Sequence, residues 1–264
     1  MVASAMADAC RTRERGMRDE WMLPQAPPPD YGRGVDLPAV VTGILFNRGI
    51  RDDEIGPFLK PDVASMHQSG LMRDMPEAVD RLRLACAAGE TILVNGDFDV
   101  DGVTAALVLA ETLDALGASV LVHFPDRDTD GHGLQPDTVD RYRAHGVSVI
   151  VTADCGSGSC AAAERAAVLA MDFVITDHHP LGAGPLPRAL AVVNPRRGDC
   201  PYPFKDLSGA AVAFKVASML VSDRPNAAYL RRSVLDLVAL GVIADCVPLR
   251  GENRILVRYG LPCA

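Results

Sequence analysis

Short apolar, β-branched runs alternate with helix-length segments through the middle of the chain. The runs cover residues 91–94, 119–123, 147–151 and 173–175. Uninterrupted apolar runs of this length are typical of strands that are buried on both faces of a parallel sheet. Helical periodicity covers residues 103–116, 135–144 and 159–170, and, after a proline-rich loop over 180–203, residues 209–220 and 229–242. The pattern predicts an α/β fold with a mostly parallel sheet flanked by helices.

The region before the first strand has a different pattern. Residues 36–90 contain two helical stretches, 37–48 and 76–88, which predict a short helical lead-in to the sheet. Residues 1–33 mix opposite charges and contain three consecutive prolines, a composition that predicts a disordered tail. The sequence thus predicts a tail over 1–33, a lead-in over 36–90 and a sheet domain over 91–264.

Composition and charge narrow the class of protein. The 264 residues are 48% hydrophobic and 23% charged, which excludes wholesale disorder, collagen and small disulfide scaffolds. The net charge of -8 argues against a surface that is basic throughout, while a local basic patch stays open. The 7 cysteines are an odd number without a Cys-x-x-Cys pair, which favours a reducing compartment, the cytoplasm. We expect neither a secretory signal nor a membrane span.

Acidic and imidazole side chains follow three of the predicted strands. They form three clusters along the chain, which comprise Asp97, Asp99 and Asp101; Asp154; and Asp177, His178 and His179. Because ligands bind in a crevice beyond the carboxyl ends of parallel strands, we expect these clusters to converge. Carboxylates at such close range raise one another's pKa values unless cations neutralise them. The sequence therefore predicts a metal site.

Other interpretations compete for the same residues. An EF-hand loop that starts at Asp97 would need Glu at its twelfth position, where the chain has Val108. A solvated acidic turn is a second alternative. The histidines could form a structural pair, but adjacent side chains on an extended segment point to opposite sides, so His178 can bind a metal while His179 reaches another group. Imidazole mixed with carboxylates favours Mn²⁺, with Mg²⁺ as a substitute.

Two further acids lie in the apolar segment 235–245. Asp236 fits a helix face or cap, whereas Asp245, at the end of the run, is the candidate ligand. Cys155 has no partner thiols at metal-binding spacing, and we interpret it as a small buried residue. The chain contains neither a P-loop nor a Gly-x-Ser-x-Gly elbow. Walker-type nucleotide hydrolysis and serine hydrolysis at such an elbow are therefore excluded.

The motifs resemble those of the DHH phosphoesterase superfamily and, within it, of the RecJ family of single-strand-specific DNA exonucleases. Residues 96–102 are similar to the first motif, 154–156 to the second, and 176–179 to the motif after which the superfamily is named. Residues 235–254 are similar to the fourth. The resemblance implies an α/β catalytic domain over residues 91–264 that hydrolyses phosphodiesters of single-stranded DNA from 5′ to 3′ in repair and recombination.

The resemblance also implies roles for individual residues. Two divalent cations, Mn²⁺ or else Mg²⁺, would be held by Asp99, Asp101, Asp154, His178 and Asp245. Asp154 would bridge the cations, and Asp97 would bind one of them directly or through another ligand. His179 and Arg127 would face the scissile phosphate. Asn95 stands where many members of the superfamily have a ligand histidine.

RecJ proteins continue beyond the fourth motif into a second catalytic lobe and an OB-type domain. We therefore expect a form truncated after the first lobe, with impaired activity. Two alternatives stay open. One is a hydrolase of small phosphoesters such as oligoribonucleotides or cyclic dinucleotides, and the other is a catalytically idle remnant that acts through other proteins.

Overall fold

A computed structural model describes residues 25–126, 133–182 and 184–263. Its α-helices are α1 (Ala39–Asn47), α2 (Ile55–Leu59), α3 (Met75–Ala88), α4 (Val100–Ala115), α5 (Pro136–Ala144), α6 (Cys160–Val168), α7 (Gly209–Leu220), α8 (Ala227–Ser233), α9 (Leu235–Ala244) and α10 (Gly251–Gly260). Its strands are β1 (Thr91–Gly96), β2 (Ser119–His123), β3 (Val147–Ala153), β4 (Asp172–Thr176) and β5 (Ala191–Val193). Among the described residues, no helix combines the length and the hydropathy needed to cross a membrane.

The chain divides into two compact units, Met1–Gly56 and Pro57–Ala264. The smaller unit contains α1 and part of the predicted tail. Within it, the hydroxyl of Tyr31 donates to the backbone oxygen of Ile50 at 2.7 Å, and the side-chain amide of Asn47 donates to the oxygen of Gln25 at 2.9 Å. Residues 29–34 form a turn, in which the amide of Tyr31 donates to the oxygen of Pro28 at 3.0 Å. Residues 1–24 of the predicted disordered tail lie outside the described residues.

The larger unit is built on a five-stranded sheet with the order β2-β1-β3-β4-β5, in which every pair is parallel. Strand side chains alternate between two buried clusters. In β1, for example, Ile92 and Val94 pack on the side of α3, α4 and α7, while Leu93 packs on the side of α5 and α6. Burial on both faces explains the nearly continuous apolar runs and confirms the predicted α/β class.

Helix α3, from the predicted lead-in, packs within the same core as the sheet. Its residues Val79 and Leu82 are fully buried in the cluster that contains Val94. The predicted boundary between a lead-in and a catalytic domain, at residues 90 and 91, stays a prediction.

Several elements differ from the sequence expectations. Strand β5 lies inside the predicted proline-rich loop, and its three residues are too few to show a periodicity. The predicted single helix over 229–242 is two helices, because Val234 leaves helical geometry with φ -111° and ψ 2° and is buried in the core. Helix α10 was not predicted, because it opens with the polar residues Glu252, Asn253 and Arg254.

A buried polar network fixes α7 against α10. Nζ of Lys215 lies 2.5 Å from a carboxylate oxygen of Glu252, and both side chains are 2% exposed. Glu252 also accepts hydrogen bonds from the hydroxyl of Tyr202 at 2.5 Å and from the backbone amide of His67 at 2.7 Å. Because a buried ion pair tolerates little movement of either partner, this network holds α7 in the position that brings its first residues to the carboxyl edge of the sheet.

Candidate metal centre

The acidic and imidazole side chains converge beyond the carboxyl ends of β1, β3 and β4. Asp101 comes from the first turn of α4, Asp154 follows β3, and Asp245 caps the end of α9. Two sets of three side chains could each bind a metal ion, because the potential ligand atoms within each set lie within 4.8 Å of one another. The first set is Asp101, His178 and Asp245, and the second is Asp154, His178 and His179. His178 belongs to both sets and lies at the middle of the cluster.

Several buried atoms of this cluster have no hydrogen-bond partner among the described residues. Nε2 of His178 lies 3.0 Å from Oδ1 of Asp154, 3.7 Å from Oδ2 of Asp245 and 3.8 Å from Oδ2 of Asp101. Even the shortest of these contacts lacks hydrogen-bond geometry, so both ring nitrogens of His178, Oδ1 of Asp154 and Oδ2 of Asp245 remain unsatisfied. Such atoms are rare in folded proteins. The mixed oxygen and nitrogen donors fit a first-row divalent cation.

The raised pKa values of the carboxylates also indicate that the cluster contains too little positive charge to stabilise the ionised acids. Burial raises the pKa of Asp154 to about 7, with a further contribution from the charge of Asp101. Burial also raises the pKa of Asp101 and that of Asp245. For His178, burial lowers the pKa, but the contact with Asp154 and the surrounding acids outweigh burial and raise it overall. A cation bound here would favour the ionised acids, because it supplies the positive charge that the cluster lacks.

Helix α7 supports Asp101 and closely approaches Asp154 through its first residues. The backbone amide of Gly209 donates to Oδ2 of Asp101 at 2.6 Å, and that of Ala210 donates to Oδ1 at 3.0 Å. Free amides and the helix dipole favour negative charge at this end of a helix. A Cβ atom on Gly209 would overlap the carboxylate of Asp154. Glycine at this position therefore allows α7 to approach both carboxylates.

The other predicted site residues lie around this cluster. Asp99 caps α4 by accepting a hydrogen bond from the amide of Gly102 at 2.9 Å. Burial is the largest cause of the raised pKa of Asp245, and the negative charge of Asp99 raises this pKa further. Asp97 lines a cavity of about 460 Å³ together with Asp154 and His179. Neither Asp97 nor Asp99 belongs to the two sets of converging ligand atoms. Their roles as ligands stay predictions, and Arg127 lies outside the described residues.

Asn95 and Cys155 pack together beneath the cluster. Both are buried, as predicted for Cys155. The side-chain amide of Asn95 donates to the sulfur of Cys155 at 3.4 Å, and Oδ1 of Asn95 has no partner among the described residues.

Asp177, which the sequence grouped with the converging acids but gave no individual role, organises the turn that carries the histidines. Its carboxylate accepts hydrogen bonds from the backbone amides of Ser157, His178 and His179 and lies 2.9 Å from Nδ1 of His179. This last contact is the main cause of the rise of the His179 pKa to about 9. The adjacency of Asp177 to the histidines was visible in the sequence, but its bond to Ser157 was not.

Arg196 is a second residue to which the sequence assigned no role. Its charge lowers the pKa of Asp245, which burial raises overall, and its guanidinium group lies 3.5 Å from Oδ1 of Asp206. The neighbouring Arg197 instead lies in a structural network with Asp74 and Asp199. Nothing in the local sequence distinguishes these two arginines.

Fold and cluster together place the chain among α/β proteins that bind ligands at the carboxyl edge of a parallel sheet. Comparison with known families narrows this class, because the model of the DHH family, N-terminal domain, matches residues 91–242. The chain belongs to the DHH family.

Individual relatives are single-stranded-DNA-specific exonucleases named RecJ. The chain is 39% identical to the Bacillus subtilis protein over 223 residues and 37% identical to the Escherichia coli protein over 236 residues. These matches cover 84% and 86% of this chain but 28% and 40% of the relatives. The predicted resemblance to RecJ is confirmed, and the chain spans well under half the length of these relatives.

A solved structure agrees with these relatives. The crystal structure of RecJ from Thermus thermophilus in complex with Mn²⁺ matches with a TM-score of 0.74 and 30% sequence identity. The match covers 93% of this chain and 35% of that one.

The raised pKa of Asp154 predicts a pH dependence of stability. Its pKa is about 7 in the metal-free fold, against 3.8 ordinarily, so the folded state binds more protons than the unfolded state between these values. The free energy of unfolding should therefore fall as pH rises through this window. Asp154→Asn should reduce the fall, as measured by urea unfolding in EDTA. The control Asp114→Asn, at an exposed acid, should follow the unchanged protein, and equal pH slopes for all three proteins would contradict the raised pKa.

Proposed function

We propose that the chain is a metal-dependent phosphodiesterase that acts on single-stranded DNA as a 5′ to 3′ exonuclease in repair and recombination. The observation that carries this proposal is the set of buried oxygen and nitrogen atoms in and around His178 that could bind a metal and that have no hydrogen-bond partner among the described residues. The similarity to RecJ exonucleases supports the choice of substrate. The residues over 91–264 would form the catalytic domain.

The proposed cofactors are two divalent cations, Mn²⁺ in preference to Mg²⁺. Solved RecJ structures in complex with Mn²⁺ and with Mg²⁺ support this choice. The residues that would hold the cations are Asp97, Asp99, Asp101, Asp154, His178 and Asp245, with Asp154 shared by both. In such a site, divalent cations activate a water molecule for attack on phosphorus and stabilise the leaving oxygen.

The side chains of the protein would orient the substrate around this centre. Asp177 engages Nδ1 of His179, which leaves Nε2 of that half-exposed imidazole to donate to a phosphate oxygen. Without a cation, the pKa of His179 is raised to about 9, chiefly by the hydrogen bond to Asp177, which favours a protonated ring. Arg196 adds a second positive charge near Asp245. Arg127 is proposed to face the same phosphate.

The cytoplasm is the proposed place of action. The cysteines in the described part of the chain are free thiols, which agrees with a reducing compartment.

Purified protein with Mn²⁺ should shorten a 5′-phosphorylated DNA strand from its 5′ end. Asp154→Ala should lower this rate by more than about 100-fold, because it removes a proposed metal ligand. Even the loss of a residue that only hydrogen-bonds to a metal ligand lowers activity by up to about 100-fold. The release of labelled nucleotides measures the rate, and Asp114→Asn serves as the control. Hydrolysis of small phosphoesters alone would favour the first alternative function, and no hydrolysis of any phosphoester would favour a catalytically idle protein.

The two histidines should respond differently to substitution. His178→Asn should weaken Mn²⁺ binding by at least about 10-fold, because this imidazole belongs to both sets of donors. His179→Asn should leave Mn²⁺ affinity nearly unchanged and slow hydrolysis at saturating metal. Isothermal titration with Mn²⁺, combined with initial rates, separates the two effects. An equal loss of Mn²⁺ affinity in both variants would show that His179 is a ligand and refute its assignment to the phosphate.

A further inference from the structure

An exposed aromatic side chain lies at the carboxyl edge of the sheet, beside the end of β1, the strand that Asp97 follows. Phe124 directly follows β2, and the register of the parallel pair places His123 opposite Asn95. Phe124 therefore lies alongside Gly96, one residue before Asp97. Its side chain is 37% exposed.

The position of the ring is determined by a glycine. A Cβ atom on Gly96 would lie 2.6 Å from Cε1 of Phe124, 2.9 Å from Cβ of Ala106 and 2.9 Å from the backbone oxygen of Gly102. Since distances this short do not occur in folded proteins, the ring can pack here only because residue 96 has no side chain. The ring thus lies between β1 and the first two turns of α4, the helix that Asp99 caps.

The exposed ring continues an apolar face of the edge strand. Side chains alternate along a strand, so Val120, Val122 and Phe124 share one side of β2. Val120 packs against the core, whereas Val122 is 39% exposed and Phe124 37% exposed. The apolar surface of the strand therefore extends beyond the core to the carboxyl end of β2.

We propose that Phe124 is a stacking site for a nucleobase of the strand whose phosphodiester is hydrolysed, an inference that rests on the proposed function. The net charge of -8 and the acids of the crevice limit the attraction of this chain for a phosphate backbone. Stacking on an aromatic ring requires no positive charge, and it tolerates any sequence because every base has a π face. A ring at this position would hold a base while the adjoining phosphate lies at the cluster.

The test compares two oligonucleotides of equal length, oligothymidylate and the same backbone with abasic tetrahydrofuran units, in the presence of Mn²⁺. Phe124→Leu keeps an apolar contact with Gly96 but removes the ring. We expect it to raise KM for oligothymidylate by roughly 5- to 100-fold, with kcat little changed and with no change in KM for the abasic strand. The control Tyr229→Leu removes an aromatic ring that is 71% exposed on α8 and should leave both KM values unchanged.

A fluorescence measurement provides a readout independent of catalysis. The single tryptophan of the chain is Trp21, so Phe124→Trp in a Trp21→Phe background places the only indole at the proposed stacking site. Oligothymidylate should quench its fluorescence, and the abasic strand should not. The stacking site would be overturned, and the proposed function left intact, if Phe124→Leu hydrolysed oligothymidylate with an unaltered KM. An absence of quenching by oligothymidylate would have the same meaning. A failure of the unchanged protein to hydrolyse any single strand would instead overturn both.

Discussion

The burial of several acids around one imidazole is the constraint on which the rest of the larger unit depends. Asp101 and Asp154 are each 1% exposed and His178 is 5% exposed. Charges in such surroundings destabilise a fold, because desolvation and mutual repulsion both disfavour the ionised acids. The amides at the start of α7 compensate Asp101 in part, and the Lys215–Glu252 ion pair anchors the same helix further along. What stays uncompensated is the group of atoms facing His178, and a cation could satisfy them together.

The position of this cluster follows from the order of the strands. In the sheet β2-β1-β3-β4-β5, the chain leaves β1 through α4 on one face and reaches β3 through α5 on the other face. A crevice opens beyond the strand ends where the direction of winding changes, here between β1 and β3. Asp97 and Asp154 follow these two strands. Phe124 follows the neighbouring strand β2 and lies beside Gly96 at the end of β1.

Sequence reasoning succeeded where short-range patterns determine the structure. Uninterrupted apolar runs indicated buried parallel strands, and parallel strands alone imply that the residues after them meet at one edge. Features set by distant contacts were not accessible in this way. The break at Val234 reflects burial of that side chain in the core, and the role of Asp177 depends on an amide 20 residues away in the chain. Arg196 and Arg197 are adjacent in sequence, yet Arg196 contacts Asp206, whereas Arg197 bonds to Asp74 and Asp199.

Anomalous diffraction from crystals grown with Mn²⁺, recorded on both sides of the manganese absorption edge, tests the central claim most directly. The account predicts anomalous density between the side chains of Asp101, Asp154, His178 and Asp245, within bonding distance of the buried atoms that have no hydrogen-bond partner among the described residues. Manganese bound only elsewhere, or these four side chains keeping their present mutual contacts in saturating Mn²⁺, would contradict the account.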